Sequence, residues 1–217
     1  MATNYEIVRH LNNVKFSNVS TNMKNVLRTI HNREITDDTI IFSYVNTDNT
    51  EKTDITISIE QNNYNINLLS GHYCSVHEAS RNDFLDILRT FNAPNEVVTF
   101  INNLCTADMN TTDFINSVNV DIVNQVKAFF NNPDIKKHII TEALKTGFNT
   151  TAIPDYIYHG NVNSGIICNI DVAINIICDK VARTSLIPIG NLALQRKDWR
   201  TNQSIQLKWH HPDEDLA

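Results

Sequence analysis

The succession of hydrophobic periodicities along the 217 residues predicts an α/β (α+β) domain built around a mixed sheet flanked by helices. Three observations carry this. Two neighbouring runs, KTDITISIE and YNINLLSG, alternate apolar and polar residues with the period of a strand that buries one face. The stretch SRNDFLDILRTF that follows changes to helical spacing. The last third returns to alternating runs, IPIGNLALQRK and SIQLKWH.

In chain order, Ile7, Val8 and Leu11, then Met23, Val26, Leu27 and Ile30, recur at helical spacing and predict two helices or one broken helix. The run Ile40 to Val45 is short, β-branched and aromatic, which favours a strand. With the alternating runs that hold Ile55, Ile57 and Ile59 and then Ile66 and Leu68, it predicts an antiparallel meander. From Ser75 or Ser80 the period becomes helical, with Ser80 as N-cap and Phe84, Leu85, Leu88 and Phe91 on one stripe. A second helix follows Pro94, residues 105–118 carry no clear pattern, and residues 119–147 read as two helices split at Pro133 and closed at Gly147. PDYIYHGN and SGIICNI predict a hairpin, DVAINIICDKVAR a helix, and the final two runs a second hairpin across DWRTNQ. A single domain over residues 1–217 with a helical insertion at about 92–147 is expected from this order and length.

The formal net charge of -6 denies the chain a whole-surface attraction to a polyanion, so nucleic-acid binding requires a local basic patch. Cys74, Cys105, Cys168 and Cys178 lie 31, 63 and 10 positions apart, without the paired spacing of a zinc site, and read as free buried thiols. The N-terminus has no basic segment followed by an apolar run, and no window reaches the roughly 18 apolar residues of a membrane span. A soluble cytoplasmic protein is expected.

Chemistry concentrates between Lys52 and Glu78. Hydrolysis of a phosphodiester at neutral pH calls for a divalent ion to activate water, carboxylates to hold it, and a lysine beside them. Adjacent antiparallel strands can gather such a set, because positions two apart on a strand share a face. Asp54 on the second strand, a third strand ending at Ser70-Gly71, and a Ser75-Val76-His77-Glu78 turn into a helix resemble the PD-(D/E)xK nucleases, the superfamily of the type II restriction endonucleases. The resemblance implies a restriction-endonuclease-like central sheet, Mg²⁺-dependent cleavage of double-stranded DNA, and action as a homodimer on palindromic sites.

In such relatives the third strand reads acidic or Ser, apolar, Lys; here the same places read Asn67-Leu68-Leu69. Leucine neither ligates a metal nor moves a proton, and loss of a positioned general acid or base costs about 10²- to 10⁴-fold. The resemblance implies Asp54 as metal ligand, Asn67 or Glu78 as auxiliary ligand or water-positioning group, and Lys52 as substitute cation for the lysine absent at Leu69. Beside these stand plainer readings, with Asp54 as an exposed turn residue and His77-Glu78 as a helix cap.

The run LALQRKDWRTNQSIQLKW resembles the C-terminal hairpin of some restriction enzymes. Gln195, Arg196, Lys197, Arg200, Gln206 and Lys208 gather donors for phosphates and base edges on it, with Trp199 and Trp209 available for stacking or packing. The alternative is a non-enzymatic factor that keeps the fold to bind DNA or another protein.

Overall fold

The structure, a computed structural model, describes residues 4–47, 52–147, 152–183, 185–197 and 204–217. Its elements are α1 (Asn4–Leu11), β1 (Val14–Lys15), α2 (Thr21–His31), β2 (Ile40–Val45), β3 (Ile55–Ile59), β4 (Asn62–Leu69) and β5 (Tyr73–Ser80). Then follow α3 (Arg81–Thr90), α4 (Asn95–Thr106), α5 (Thr111–Ser117), α6 (Val120–Asn131), α7 (Pro133–Thr141), β6 (Tyr156–Gly160) and β7 (Gly165–Asn169). The chain ends with α8 (Ile170–Asp179), β8 (Pro188–Ile189), β9 (Leu192–Lys197), β10 (Ser204–His210) and α9 (Pro212–Leu216). It divides into two compact units, one of Met1–Cys74, Lys145–Ala173 and His211–Ala217, the other of Ser75–Leu144 and Ile174–His210.

The first unit holds a six-stranded sheet in the order β1-β2-β3-β4-β6-β7. Only β4 and β6 run parallel; the other neighbours are antiparallel, so the predicted meander β2-β3-β4 lies inside a mixed sheet. Ile55, Ile57 and Ile59 of β3 and Ile66 of β4 are buried in one core with Ile7 and Leu11 of α1 and Met23, Val26, Leu27 and Ile30 of α2. The opposite face of β3 is polar and satisfied across the ladder, where Thr56 Oγ1 donates to Asn65 Oδ1 at 3.0 Å and Ser58 Oγ to Asn63 Oδ1 at 2.7 Å. Buried Ser43 stays in the apolar layer because its hydroxyl donates to the Val8 carbonyl at 3.0 Å.

The second unit combines helices α3 to α7 with a four-stranded sheet ordered β5-β10-β9-β8. The predicted Ser80 cap is present, its hydroxyl accepting from Asp83 N. Asn110, Asn119 and Asn132 cap α5, α6 and α7 in the same way. Two elements depart from expectation. Ser75 to Glu78 form no turn into a helix but continue as strand β5, which buries Cys74, Val76 and Ala79. The patternless stretch 105–118 contains α5, which buries only Phe114 and Ile115.

All four cysteines are free thiols, but only Cys74 and Cys105 are buried as expected; Cys168 and Cys178 are partly exposed. Burial pushes the Cys74 and Cys105 thiols up to about 11. No helix among the described residues is long and apolar enough to cross a membrane.

The β6–β7 hairpin closes tightly on Tyr158. A Cβ at Gly165 would overlap Tyr158 Oη and approach the His159 carbonyl oxygen to 2.7 Å. Gly165→Ala is therefore expected to destabilise the protein by about 1–3 kcal/mol in urea unfolding, whereas an unchanged midpoint would show that this approach is not made.

Candidate functional site

Asp54 stands just before β3 and is tied to β4 through backbone and side chain together. Its amide donates to the Ile66 carbonyl at 3.0 Å, and its Oδ2 accepts the Leu68 amide at 2.7 Å. Its Oδ1 accepts from Asn4 Nδ2 at 3.2 Å. Asp54 is thus half-buried and anchored, unlike a solvated turn residue. Desolvation raises its pKa above the ordinary carboxylate range, opposed by the Leu68 amide, the Asn4 amide and the nearby charge of Lys52. A carboxylate held this way is suited to a cation, since a positive charge nearby favours its ionised form.

The peptide that Asp54 grips joins Asn67 to Leu68. Ile66 and Leu68 belong to the face of β4 packed on the helical core, so Asn67 and Leu69 lie on the opposite face. Both are buried, at 6% and 4% exposure. The structure therefore brings Asp54 beside Asn67, with Lys52 acting electrostatically on the same carboxyl. Across the parallel pair, Leu69 lies in register with His159 of β6, whose Nε2 is 3.0 Å from the Gly71 carbonyl oxygen. His159 was not singled out from the sequence, because its place beside Leu69 depends on the β4–β6 register. Asp155, at the start of the same strand, accepts the Asn65 amide on its Oδ2 at 2.9 Å and so serves as a backbone clamp.

Glu78 lies on β5, where its carboxylate forms an ion pair with Lys197 Nζ and accepts from Gln206 Nε2 at 3.3 Å. Its partners are thus residues of the β9–β10 ribbon. In that ribbon Gln195 faces Gln206, Lys197 faces Ser204, and Lys208 faces Ala193. The opposite parity is buried, with Leu194 against Leu207 and Leu192 against Trp209. Gln195, Lys197, Gln206 and Lys208 consequently share one partly exposed face. Arg196 has the other parity and pairs with Ile205; its guanidinium donates to the Ala107 carbonyl and its amide to Thr111 Oγ1 at 3.0 Å. Trp209 is fully buried and packs in the core. Arg200 and Trp199 lie outside the described residues.

The raised pKa of Asp54 fixes a sign. Between the ordinary carboxylate value and the higher folded value, the native state binds more protons than the unfolded chain, so Asp54's contribution to stability rises as pH falls through that window. Below the window it levels off. The wild type should gain stability relative to Asp54→Asn as pH is lowered from neutral to below 4, measured by urea unfolding at a series of pH values. A difference independent of pH would mean that the carboxyl is not desolvated.

No family model matches this sequence, and no curated protein matches it. Among solved structures, the chain is similar to restriction endonuclease MspI in complex with its cognate DNA, with a TM-score of 0.64 and 14% identity, over 94% of this chain and 87% of that one. The chain has a restriction-endonuclease-like fold, with a mixed sheet and flanking helices.

Proposed function

We propose that this protein binds double-stranded DNA through the β9–β10 ribbon and carries a Mg²⁺-dependent endonuclease centre at Asp54 that is attenuated at Leu69. The observation that carries the DNA reading is the pairing of the ribbon, whose register sets Gln195, Lys197, Gln206 and Lys208 on one face of a chain with a net charge of -6. Amide side chains reach base edges and lysines neutralise phosphates, so this face has both kinds of contact. Arg196 holds the ribbon to the loop after α4 and acts as a positioning residue. The solved structure of MspI with cognate DNA supports the same reading through the shared fold.

For hydrolysis, the oxygen donors are the Asp54 carboxylate and the Asn67 carboxamide, with Glu78 secondary to them because Lys197 already neutralises it. Mg²⁺ accepts such a sparse set of protein oxygens by keeping several waters, and when bound it lowers the pKa of one of them. Asn67 can orient that water through its carboxamide, and Lys52 supplies positive charge next to Asp54. Leu69 occupies the lysine position of related nucleases with a side chain unable to stabilise a hydroxide. A homodimer on a palindromic duplex belongs to the same proposal.

Two experiments test it. In fluorescence anisotropy with a duplex at low salt, Lys208→Ala is expected to weaken binding and reduce the slope of log K against log salt by about 0.9. Glu78→Gln is expected to strengthen binding, since it frees Lys197 from its carboxylate; equal affinity for both variants and the wild type would remove the ribbon from the interface. With plasmid DNA and Mg²⁺ or Mn²⁺, Leu69→Lys is expected to raise cleavage by about 10²-fold or more, and Asp54→Ala added to it to abolish the gain. Absence of cleavage in every variant, with duplex binding intact, would leave a non-enzymatic DNA-binding protein.

A further inference from the structure

His72, in the connection between β4 and β5, is 139 or more positions from His211 and Asp213 at the start of α9, yet adjacent to them in space. One donor atom from each lies within 4.8 Å of the other two. The two histidines are held together by the backbone, the His211 amide donating to the His72 carbonyl at 2.8 Å, and their ring centroids are 6.4 Å apart. Tyr73 packs edge-on against the His211 ring at 5.5 Å, limiting its rotation.

Asp213 is the informative member. Its Oδ2 is 3.7 Å from His72 Nδ1, too far for a hydrogen bond, and its Oδ1 is buried without a hydrogen-bond partner among the described residues. A buried carboxylate oxygen that no donor satisfies is costly unless a cation completes it.

We propose that His72, His211 and Asp213 bind a first-row transition metal ion of the Zn²⁺ class. Two imidazoles and a carboxylate suit such an ion, whereas Mg²⁺ prefers oxygen donors throughout. Donors around a tetrahedral ion stand about 3.4 Å apart, so modest side-chain rotation closes the set. His72 and Asp213 also line a cavity of about 650 Å³, with Ser70, Gly71, His159 and Asn161 on its wall. Three protein ligands leave a fourth position for water or a small anionic ligand, the arrangement of an open rather than a closed structural site. Asp213, Glu214 and Asp215 in the first turn of α9 offset the positive end of that short helix. The neighbouring Cys74 thiol donates to the Ser70 and Gly71 carbonyls and stays outside the ligand set.

The site is independent of the Asp54 reading and is tested on the full chain with the metal alone. After chelator dialysis, Co²⁺ titration is expected to give one equivalent of visible d–d absorption that Zn²⁺ displaces. His72→Gln, His211→Gln and Asp213→Asn should each weaken it by about tenfold or more, while His138→Gln leaves it unchanged. His72→Cys provides a gain of signal, a thiolate-to-Co²⁺ charge-transfer band, and circular dichroism confirms that each variant is folded. Weak, multiple binding that is the same in all variants identifies an adventitious ion only and overturns the proposal, as does a folded His72→Cys protein without the new band.

Discussion

The register of β4 is the constraint on which the first unit depends. This strand pairs antiparallel with β3 and parallel with β6, so its alternation is read by two neighbours at once. Ile66 and Leu68 must face the layer of α1 and α2, and a shift of one residue would turn both, with Tyr64, away from the core and bring Asn65 and Asn67 into it. Asp54 reinforces the register at its most critical point. Its backbone binds Ile66 and its carboxylate binds Leu68, so a single residue spans two successive peptides of the strand. The placement of Asn67, Leu69 and His159 follows from that arrangement and from nothing local to those residues.

The same acid is thereby asked to do two things. As a clamp it is satisfied by neutral donors, and as a partly buried charge it is held above its ordinary titration range. Lys52 relieves part of that cost. The structural and chemical roles are compatible, because accepting one amide on each oxygen leaves further lone pairs on both. In the second unit an equivalent economy appears at Glu78, which ties β5 to the ribbon through Lys197 and Gln206 while lowering the positive charge of the ribbon face.

Much of this was legible in the sequence where one rule governs. The isoleucines at 55, 57 and 59 announce their strand because one face meets a core and the other meets polar neighbours. Ser80 announces its helix because an N-cap is a local hydrogen bond. The strand β5 was hidden by Ser75, His77 and Glu78, which suit a helix entrance equally well; its pairing with β10, far along the chain, decides the matter. Arg196 could have been separated from its basic neighbours by parity alone, since it follows Leu194 at a spacing of two and so shares its buried face. The cap Asn110 with Asp113 three residues on was a usable signal for α5. By contrast, nothing local joins His72 to His211 and Asp213, and only the folded chain brings them together.

The burial of the thiols has a chemical consequence. With Cys74 and Cys105 titrating at about 11, the reactive anionic form of each is only about one part in ten thousand at neutral pH. Cys168 and Cys178 are shifted in the same direction, also by desolvation. Cys74 and Cys105 are consequently poor targets for alkylating electrophiles and peroxide, and a cysteine introduced on the surface would be modified ahead of both.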